Sequence, residues 1–368
     1  MPQIEIIPLI RVFEKIEDER KSRGKRYSLV SIMLLCFVAM LCGYKTYSSI
    51  SEFSNNYHDS MSECLGLGKR SPCAATIHNV LKRVGVKKFE KAISEWVESF
   101  TEGEEEVAID GKTLRGTKKK GGKFSHLLSA FSSKLGITMY QVSTEKKTNE
   151  IGMIMELLSE IILEGRILTM DALLTQKKVS EKIISENGDY VMVAKDNQKH
   201  LREDIECVIL ANEWGTIPEV EVFETSEKGH GRTERRKITV SEPIIVEWPG
   251  VKQIFKIERE ITRKGKISLE TVYGLTSLSK EKANPEKLLK LNRNHWSIEN
   301  KSHYVRDVTF DEDRIQIKNG KIAQLMALIR NIVIGIIRFE GYNNIAQAIR
   351  FYAANPFNAL ALAMLRIK

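Results

Sequence analysis

The chain has 368 residues, 42% of them hydrophobic and 29% charged. That length allows two or three domains, and the composition excludes collagen-like, disordered and disulfide-framework classes. Lys and Arg number 57 against 48 Asp and Glu, a formal charge of +9, which permits a polyanionic partner without requiring one.

The five cysteines, Cys36, Cys42, Cys64, Cys73 and Cys207, show no C-x-x-C spacing. Reduced thiols in a cytoplasmic protein are therefore expected, with neither a zinc site nor a disulfide scaffold. Residues 1–100 read as helical, with apolar residues at helical spacing in 28–42, 47–53 and 76–100. The apolar run 28–43 follows Arg20, Lys21, Arg23, Lys25 and Arg26. It falls short of the roughly 20 residues that span a bilayer and carries no A-x-A cleavage pattern, so it reads as a buried helix. The spread of Lys82, Arg83, Lys87 and Lys88 reads first as solvated charge and second as a DNA-binding surface.

A boundary falls at TEGEEE, residues 101–106. VAID (107–110) is a short strand ending in an acid, followed by the loop GKTLRGTKKKGGK. Residues 126–133 and 136–144 read as two more strands, 150–163 as an amphipathic helix, and 166–171 as a strand again ending in an acid. A helix over 175–188 stops at Gly188, and 189–194 is a buried strand. Three consecutive strands followed by helix, strand, helix, strand predict an α+β fold, a ribonuclease-H-like mixed sheet. No dinucleotide or Walker loop is present. Residues 199–283 read as a β-rich insertion.

Asn284-Pro285 opens a helix that runs through about residue 307. The helix over 321–339 is strongly apolar, but Gln324, Arg330, Asn331 and Arg338 interrupt it, which favours a protein core over a membrane. The expected organisation is a helical N-terminal domain over 1–100, a catalytic domain over 101–340 carrying the insertion, and a helical tail over 341–368.

Asp110 and Asp171 each end a predicted strand. In open α/β sheets, sites form outside those ends. Two carboxylates in one crevice repel unless a cation sits between them, and hard oxygen ligands select Mg²⁺ or Mn²⁺ over Zn²⁺. On the 285–307 helix, His295, Glu299, His303 and Asp307 recur every fourth residue and share one face. Trp296 and Ile298 flank Glu299 and anchor it against the core. A third carboxylate there would complete a two-metal cluster for phosphoryl transfer. A solvated polar stripe and a His-x-x-x-Glu-x-x-x-His zinc site are the other readings of the same helix.

The strings AIDGKTLRG (107–115), EKKTNEI (145–151), LTMDALLTQK (168–177), GDYVMVAKDNQ (188–198), GHGRTERR (229–236) and NRNHWSIENKSHYVRDVTFDED (292–313) resemble, in order and spacing, those of DDE-class insertion-sequence transposases. The branch is the H-repeat-associated (ISAs-type) one, related to the YREK group. The resemblance covers nearly the whole chain, including the helical N-terminal domain. It implies that Asp110, Asp171 and Glu299 are the catalytic acids and hold two Mg²⁺ (or Mn²⁺) ions. The YREK pattern is only partly kept: Asn292 stands at its Tyr position, His295 at its Arg position and Arg306 at its Lys position.

Around these acids, Lys112, Arg115, Lys195, Gln198, Arg293, His295, Asn300, His303 and Arg306 are candidate DNA contacts, as are Lys118, Lys119, Lys120, Lys123 and Asn197. His230 and Arg232 lie in a Gly-rich turn. Trp296 reads first as a core anchor and second as a base-stacking ring. Trp214 and Trp248 are further candidates for an extrahelical base.

The expected function is DNA transposition by metal-dependent phosphodiester cleavage and strand transfer. Double-stranded DNA is the partner, a homodimer on two DNA ends the working unit, and no membrane is involved. Alternatives are a metal-dependent nuclease without strand transfer and a DNA-binding protein that has lost catalysis.

Overall fold

The computed structural model describes residues 7–21, 25–101, 105–118, 124–144, 150–213, 220–229 and 231–364. In chain order, six helices come first: α1 (Leu9–Glu14), α2 (Leu29–Leu41), α3 (Tyr47–Asn56), α4 (His58–Met61), α5 (Ala74–Leu81) and α6 (Val86–Glu98). Strands β1 (Glu105–Leu114), β2 (Ser125–Ser132) and β3 (Ile137–Thr144) follow, then α7 (Glu150–Glu160), β4 (Arg166–Met170), α8 (Lys177–Ser185), β5 (Asp189–Ala194) and α9 (Lys199–Glu213). Next come β6 (Glu221–Gly229), β7 (Arg232–Ser241), β8 (Gln253–Arg263) and β9 (Lys266–Thr276). The chain ends with α10 (Pro285–His295), α11 (Tyr304–Val308), α12 (Gly320–Phe339), α13 (Ile345–Ala354) and α14 (Pro356–Met364).

Two compact units form. The first gathers Met1–Glu102, Gly111–Asn149 and Ile298–Lys368, and the second Gly103–Asp110 and Glu150–Ser297. Each is assembled from separated stretches of chain, a grouping different from the linear division at residues 100 and 340.

The first unit is helical around one hairpin. Ser28 caps α2 by accepting from the Ser31 backbone N–H. Ile32 to Leu41 are almost wholly buried, packed by α1, α3, α5, α12, α13 and α14. Burial on every side explains why this helix is apolar all round. α12 packs on β3, α2 and α6. It is long and apolar enough to cross a membrane, yet 89% of its most apolar window is buried inside the protein. β2 and β3 pair antiparallel, with a bulge between Ala130 and Phe131, and Ser94 of α6 donates to the Met139 carbonyl of β3 at 2.8 Å.

The second unit is built on a mixed sheet with strand order β1-β4-β5-β9-β8-β7-β6. β1, β4 and β5 run parallel, and β9, β8, β7 and β6 continue antiparallel from β5. The β-rich stretch thus extends the sheet through the β5–β9 pairing. It also opens with a helix the sequence reading did not separate, α9, whose Leu201, Ile205, Val208 and Ile209 are buried at helical spacing. β7 ends at Ser241, before Trp248.

Leu288, Leu289 and Leu291 of α10 form one core cluster with Val191, Ile238, Phe255 and Ile257. The next residue of β5, Met192, meets Ser180 of α8. Successive side chains on a strand point to opposite faces, so α10 and α8 cover opposite faces of the sheet. At the end of α8, the left-handed residue is Asn187 at φ 60° rather than Gly188. Gly188 serves a different need: a Cβ there would lie 2.9 Å from the Leu163 carbonyl oxygen.

Gly274 of β9 makes a firmer demand. A Cβ at this buried position would lie 2.2 Å from Phe255 Cζ and 2.6 Å from the Met192 carbonyl oxygen. The ring is in the core and the carbonyl is in the sheet, so neither can yield cheaply. Gly274→Ala is therefore expected to destabilise by about 1–3 kcal/mol. Urea unfolding should show a lower midpoint at unchanged slope.

Candidate active site

Two neighbouring parallel strands deliver the first two acids. The last register pair of β1 and β4 is Ile109 with Met170, so Asp110 and Asp171 are the next residue of each strand. Asp171 caps the 3-10 turn Ala172–Leu174. Its Oδ1 accepts from the backbone N–H groups of Leu173 at 3.0 Å and Leu174 at 3.3 Å. Burial pushes the Asp171 carboxyl above its ordinary pKa, and the negative charge of Asp110 pushes it further. The Leu174 and Leu173 amides and His295 pull it back without cancelling the rise.

His295 ends α10, and its Nδ1 shares a hydrogen bond of 3.2 Å with Thr169 Oγ1. Asn294 Nδ2 donates to Glu106 Oε2 at 2.7 Å, tying α10 to β1. The loop after Asp171 is held by groups whose roles were not read from the sequence. Thr175 Oγ1 donates to the Val193 carbonyl at 2.7 Å, and Asn197 Nδ2 to the Ala172 carbonyl at 2.5 Å. Gln198 Nε2 donates to the Thr175 carbonyl at 3.0 Å, so this side chain braces the loop. The legible signal was the run of polar residues directly after β5.

Lys195 is exposed and lines a cavity of about 540 Å³ with Arg202, Lys256 and Tyr273. Arg293 forms a two-pronged pair with Glu227, at 2.6 and 3.1 Å.

The single helix expected over 285–307 is interrupted: α10 ends at His295. A π turn, Glu299–His303, precedes α11. A π turn closes on i+5 rather than i+4, so the four-residue stripe does not hold one face. Glu299 and Asn300 are exposed, while Ser302 and His303 are buried. Ile298 is fully buried and anchors the turn as expected, but Trp296 is 54% exposed, which corrects its reading as a core anchor. Trp248 is buried and donates from Nε1 to Ser180 Oγ at 2.7 Å, which leaves it no open face for a base.

Lys112 is buried, and its Nζ meets both carboxylate oxygens of Asp307 at 2.6 Å. Arg115 is exposed, with Nε 3.6 Å from Asp313 Oδ2, and Lys118 is exposed. Arg306 has no exposed surface with which to meet a phosphate: it pairs with Glu312 at 2.6 Å, and Arg330 reaches the same carboxylate at 2.9 Å. Arg232 is exposed on β7, 3.2 Å from Glu234. Lys119, Lys120, Lys123, the 145–149 part of EKKTNEI, Trp214 and His230 lie outside the described residues.

Among the described residues no three His, Cys, Asp or Glu side chains are arranged as a ready-made metal cage. Mg²⁺ is ordinarily held by one or two carboxylates together with water and substrate phosphates. Asp110 and Asp171 supply hard oxygens, and their mutual repulsion is relieved by a cation. The pair fits a divalent metal on that chemistry.

The chain matches the Transposase DDE domain family over residues 101–336 and the DDE_Tnp_1-associated family over residues 10–97. It is 31% identical over 348 residues to the "H repeat-associated putative transposase YhhI" of Escherichia coli (strain K12), covering 91% of each chain. It is 30% identical over 341 residues to the "Putative transposase YncI" of Escherichia coli O157:H7, covering 90% of this chain and 87% of the relative. A solved piggyBac transposase synaptic complex with hairpin DNA aligns with 96% of this chain and 77% of its own, at 9% identity and a TM-score of 0.44. On the strength of the family match and of these sequence relatives, the chain belongs to the DDE transposases.

Proposed function

We propose that this transposase cleaves phosphodiester bonds at the ends of a DNA element and transfers the freed strand into target DNA, using Asp110, Asp171 and Glu299. The carrying observation is the placement of Asp110 and Asp171 at the ends of adjacent parallel strands, where burial first and the charge of Asp110 second raise the pKa of the Asp171 carboxyl. The parallel core β1–β4–β5 with antiparallel strands beyond it supports a ribonuclease-H-like reading of the sheet. Glu299 is taken as the third acid from the motif it occupies, and the residue is exposed on the π turn.

These acids would hold Mg²⁺ or Mn²⁺, in two ions, and the bound metal supplies activation of the attacking oxygen and stabilisation of the leaving one. Asp171 is fixed for that role by its two backbone amide bonds, both made through Oδ1. Thr169 fixes the His295 ring beside it. In the first step, water attacks phosphorus and the bond to the 3′-oxygen breaks, leaving a 3′-hydroxyl. In the second, that hydroxyl attacks a target phosphodiester; a new P–O bond forms as the target 3′-oxygen leaves. Exposed cations such as Lys195, Arg115 and Lys118 would contact phosphates, and double-stranded DNA bridged by a homodimer is the expected assembly.

The test is incubation of the protein with Mg²⁺ and a plasmid carrying the gene's own flanking sequence, with breaks and 3′ joints mapped by sequencing. Breaks at the flanks with 3′ ends joined to target are expected. Breaks without joints would mean a nuclease. Binding of the flanks without any break would mean a DNA-binding protein that has lost catalysis.

A further inference from the structure

A second concave site lies wholly within the first unit, between the β2–β3 turn, the π turn with α11, and the segment joining α12 to α13. Its volume is about 490 Å³. Three cations, Lys134, Lys301 and Arg338, line it, and no Asp or Glu does. Arg338 is held in place by donating from Nη1 to the Gly136 carbonyl at 2.9 Å and from Nη2 to the Lys301 carbonyl. Its guanidinium therefore sits on carbonyls with no carboxylate partner among the described residues. Burial pulls the Arg338 pKa down to about 10, a cost that an anion beside it would offset. Asn344 caps α13, whose first turn forms part of the wall and adds partial positive charge.

Two aromatic rings complete the site. Tyr304 is 62% exposed. Tyr342 is backed by Phe351 and Tyr352, with ring centroids at 6.1 and 6.2 Å, so its ring is held from behind. Asn300 and Asn343 add side-chain amides able to donate and accept.

Cations without acids, paired with open aromatic faces, are the chemistry of a strand that offers both phosphate and base. A cavity in the range of roughly 300–1,000 Å³ suits a single small ligand, and a duplex is too wide to enter. We propose that this cavity seats one unpaired nucleotide of a DNA strand, its phosphodiester on Lys134 and Lys301 and its base against Tyr304 and Tyr342. The inference rests on the reading of the chain as a DNA-acting protein and adds a single-strand site to it.

The test uses the full chain in EDTA, so that no cleavage intervenes. Binding is compared between a short blunt duplex and the same duplex with a single-stranded 3′ extension. The wild type should favour the extended DNA by about tenfold, the order of one base stacked on a ring. Tyr304→Ala should abolish that preference and Tyr304→Phe keep it, both with unchanged melting temperature. Lys134→Gln with Lys301→Gln should lower the salt slope for the extended DNA by about 0.7, one single-strand phosphate contact. A 5-iodouracil in the extension should cross-link to the peptide carrying Tyr304 or Tyr342.

Equal binding of both DNAs, or a cross-link elsewhere, overturns the nucleotide site and leaves the DNA reading standing. Binding of neither DNA overturns that reading as well. Displacement of the extension by free thymidine monophosphate at equal nucleotide concentration would show a mononucleotide site and overturn the strand assignment.

Discussion

Asp171→Asn is expected to lose end cleavage by about 10²–10³-fold or more while still binding the same DNA. The size follows from removing one charged group aimed at the reacting phosphate, where fixed electrostatics act in a partly buried crevice. Asn keeps the volume and can still accept from the Leu173 and Leu174 amides through its one carbonyl oxygen, as Asp171 Oδ1 does. The loop that Thr175 and Asn197 hold is therefore expected to survive. Removing the charge also removes the repulsion with Asp110, so the variant should melt no lower than the wild type. Single-turnover cleavage with mapped ends, beside a binding titration, checks both halves. A parallel loss of binding and stability would mean that Asp171 shapes the protein rather than serving the reaction.

Glu312→Gln is expected to unfold at a markedly lower temperature. Glu312 sits 5% exposed between Arg306, which has no exposed surface, and Arg330, which is 1% exposed. Without its carboxylate, two buried guanidinium groups face each other unneutralised. Breaking a buried ion pair from one side costs about 3–5 kcal/mol, which for a unit of this size is roughly 10 °C in Tm. Burial alone would raise the Glu312 pKa, but Arg306 and Arg330 outweigh it and hold the carboxyl below its ordinary value.

The sign of the pH effect follows. A depressed carboxyl contributes stability in full above the unfolded pKa of about 4.3, and loses it as pH falls through the lower folded value. Wild-type stability should drop across that acidic window, and Glu312→Gln should drop less. Melting curves from neutral to acid pH check this. Replacing Arg306, Glu312 and Arg330 together by Met, Leu and Met should cost less than Glu312→Gln, because no lone charge remains buried.

Much of the second unit was legible because its strands are short apolar runs closed by an acid or by turn residues. VAID and RILTMD gave both the strands and the positions of Asp110 and Asp171. α9 was folded into the β-rich stretch, although Leu201, Ile205, Val208 and Ile209 carry a helical period. Its neighbours on the C-terminal side are strands, whose alternating pattern masks the helical period before them.

The π turn was not legible. One extra residue in a helix leaves the composition unchanged and is fixed by which side chains bury, here Ile298, Ser302 and His303. It separates Glu299, exposed, from His303, buried, although the spacing of four predicted a shared face. The Arg306–Glu312–Arg330 group was hidden for another reason: its members are tertiary neighbours with no periodic relation. The only hint was a charged Arg330 on the strongly apolar α12, where a lone cation needs a partner. Likewise, the Lys112–Asp307 pair joins residues far apart in the chain, so Lys112 read as a free phosphate contact.

The central claim, that Asp171 holds a divalent metal for phosphodiester cleavage, is tested most directly by Asp171→Cys assayed in Mg²⁺ and in Mn²⁺. A thiolate is a poor ligand for Mg²⁺ and a more acceptable one for Mn²⁺. The account predicts that the variant is inactive in Mg²⁺ and regains cleavage in Mn²⁺ at the same mapped positions, while the wild type cuts in both. Equal activity of the variant in the two metals, or cleavage by Asp171→Ala at the wild-type rate, would contradict it.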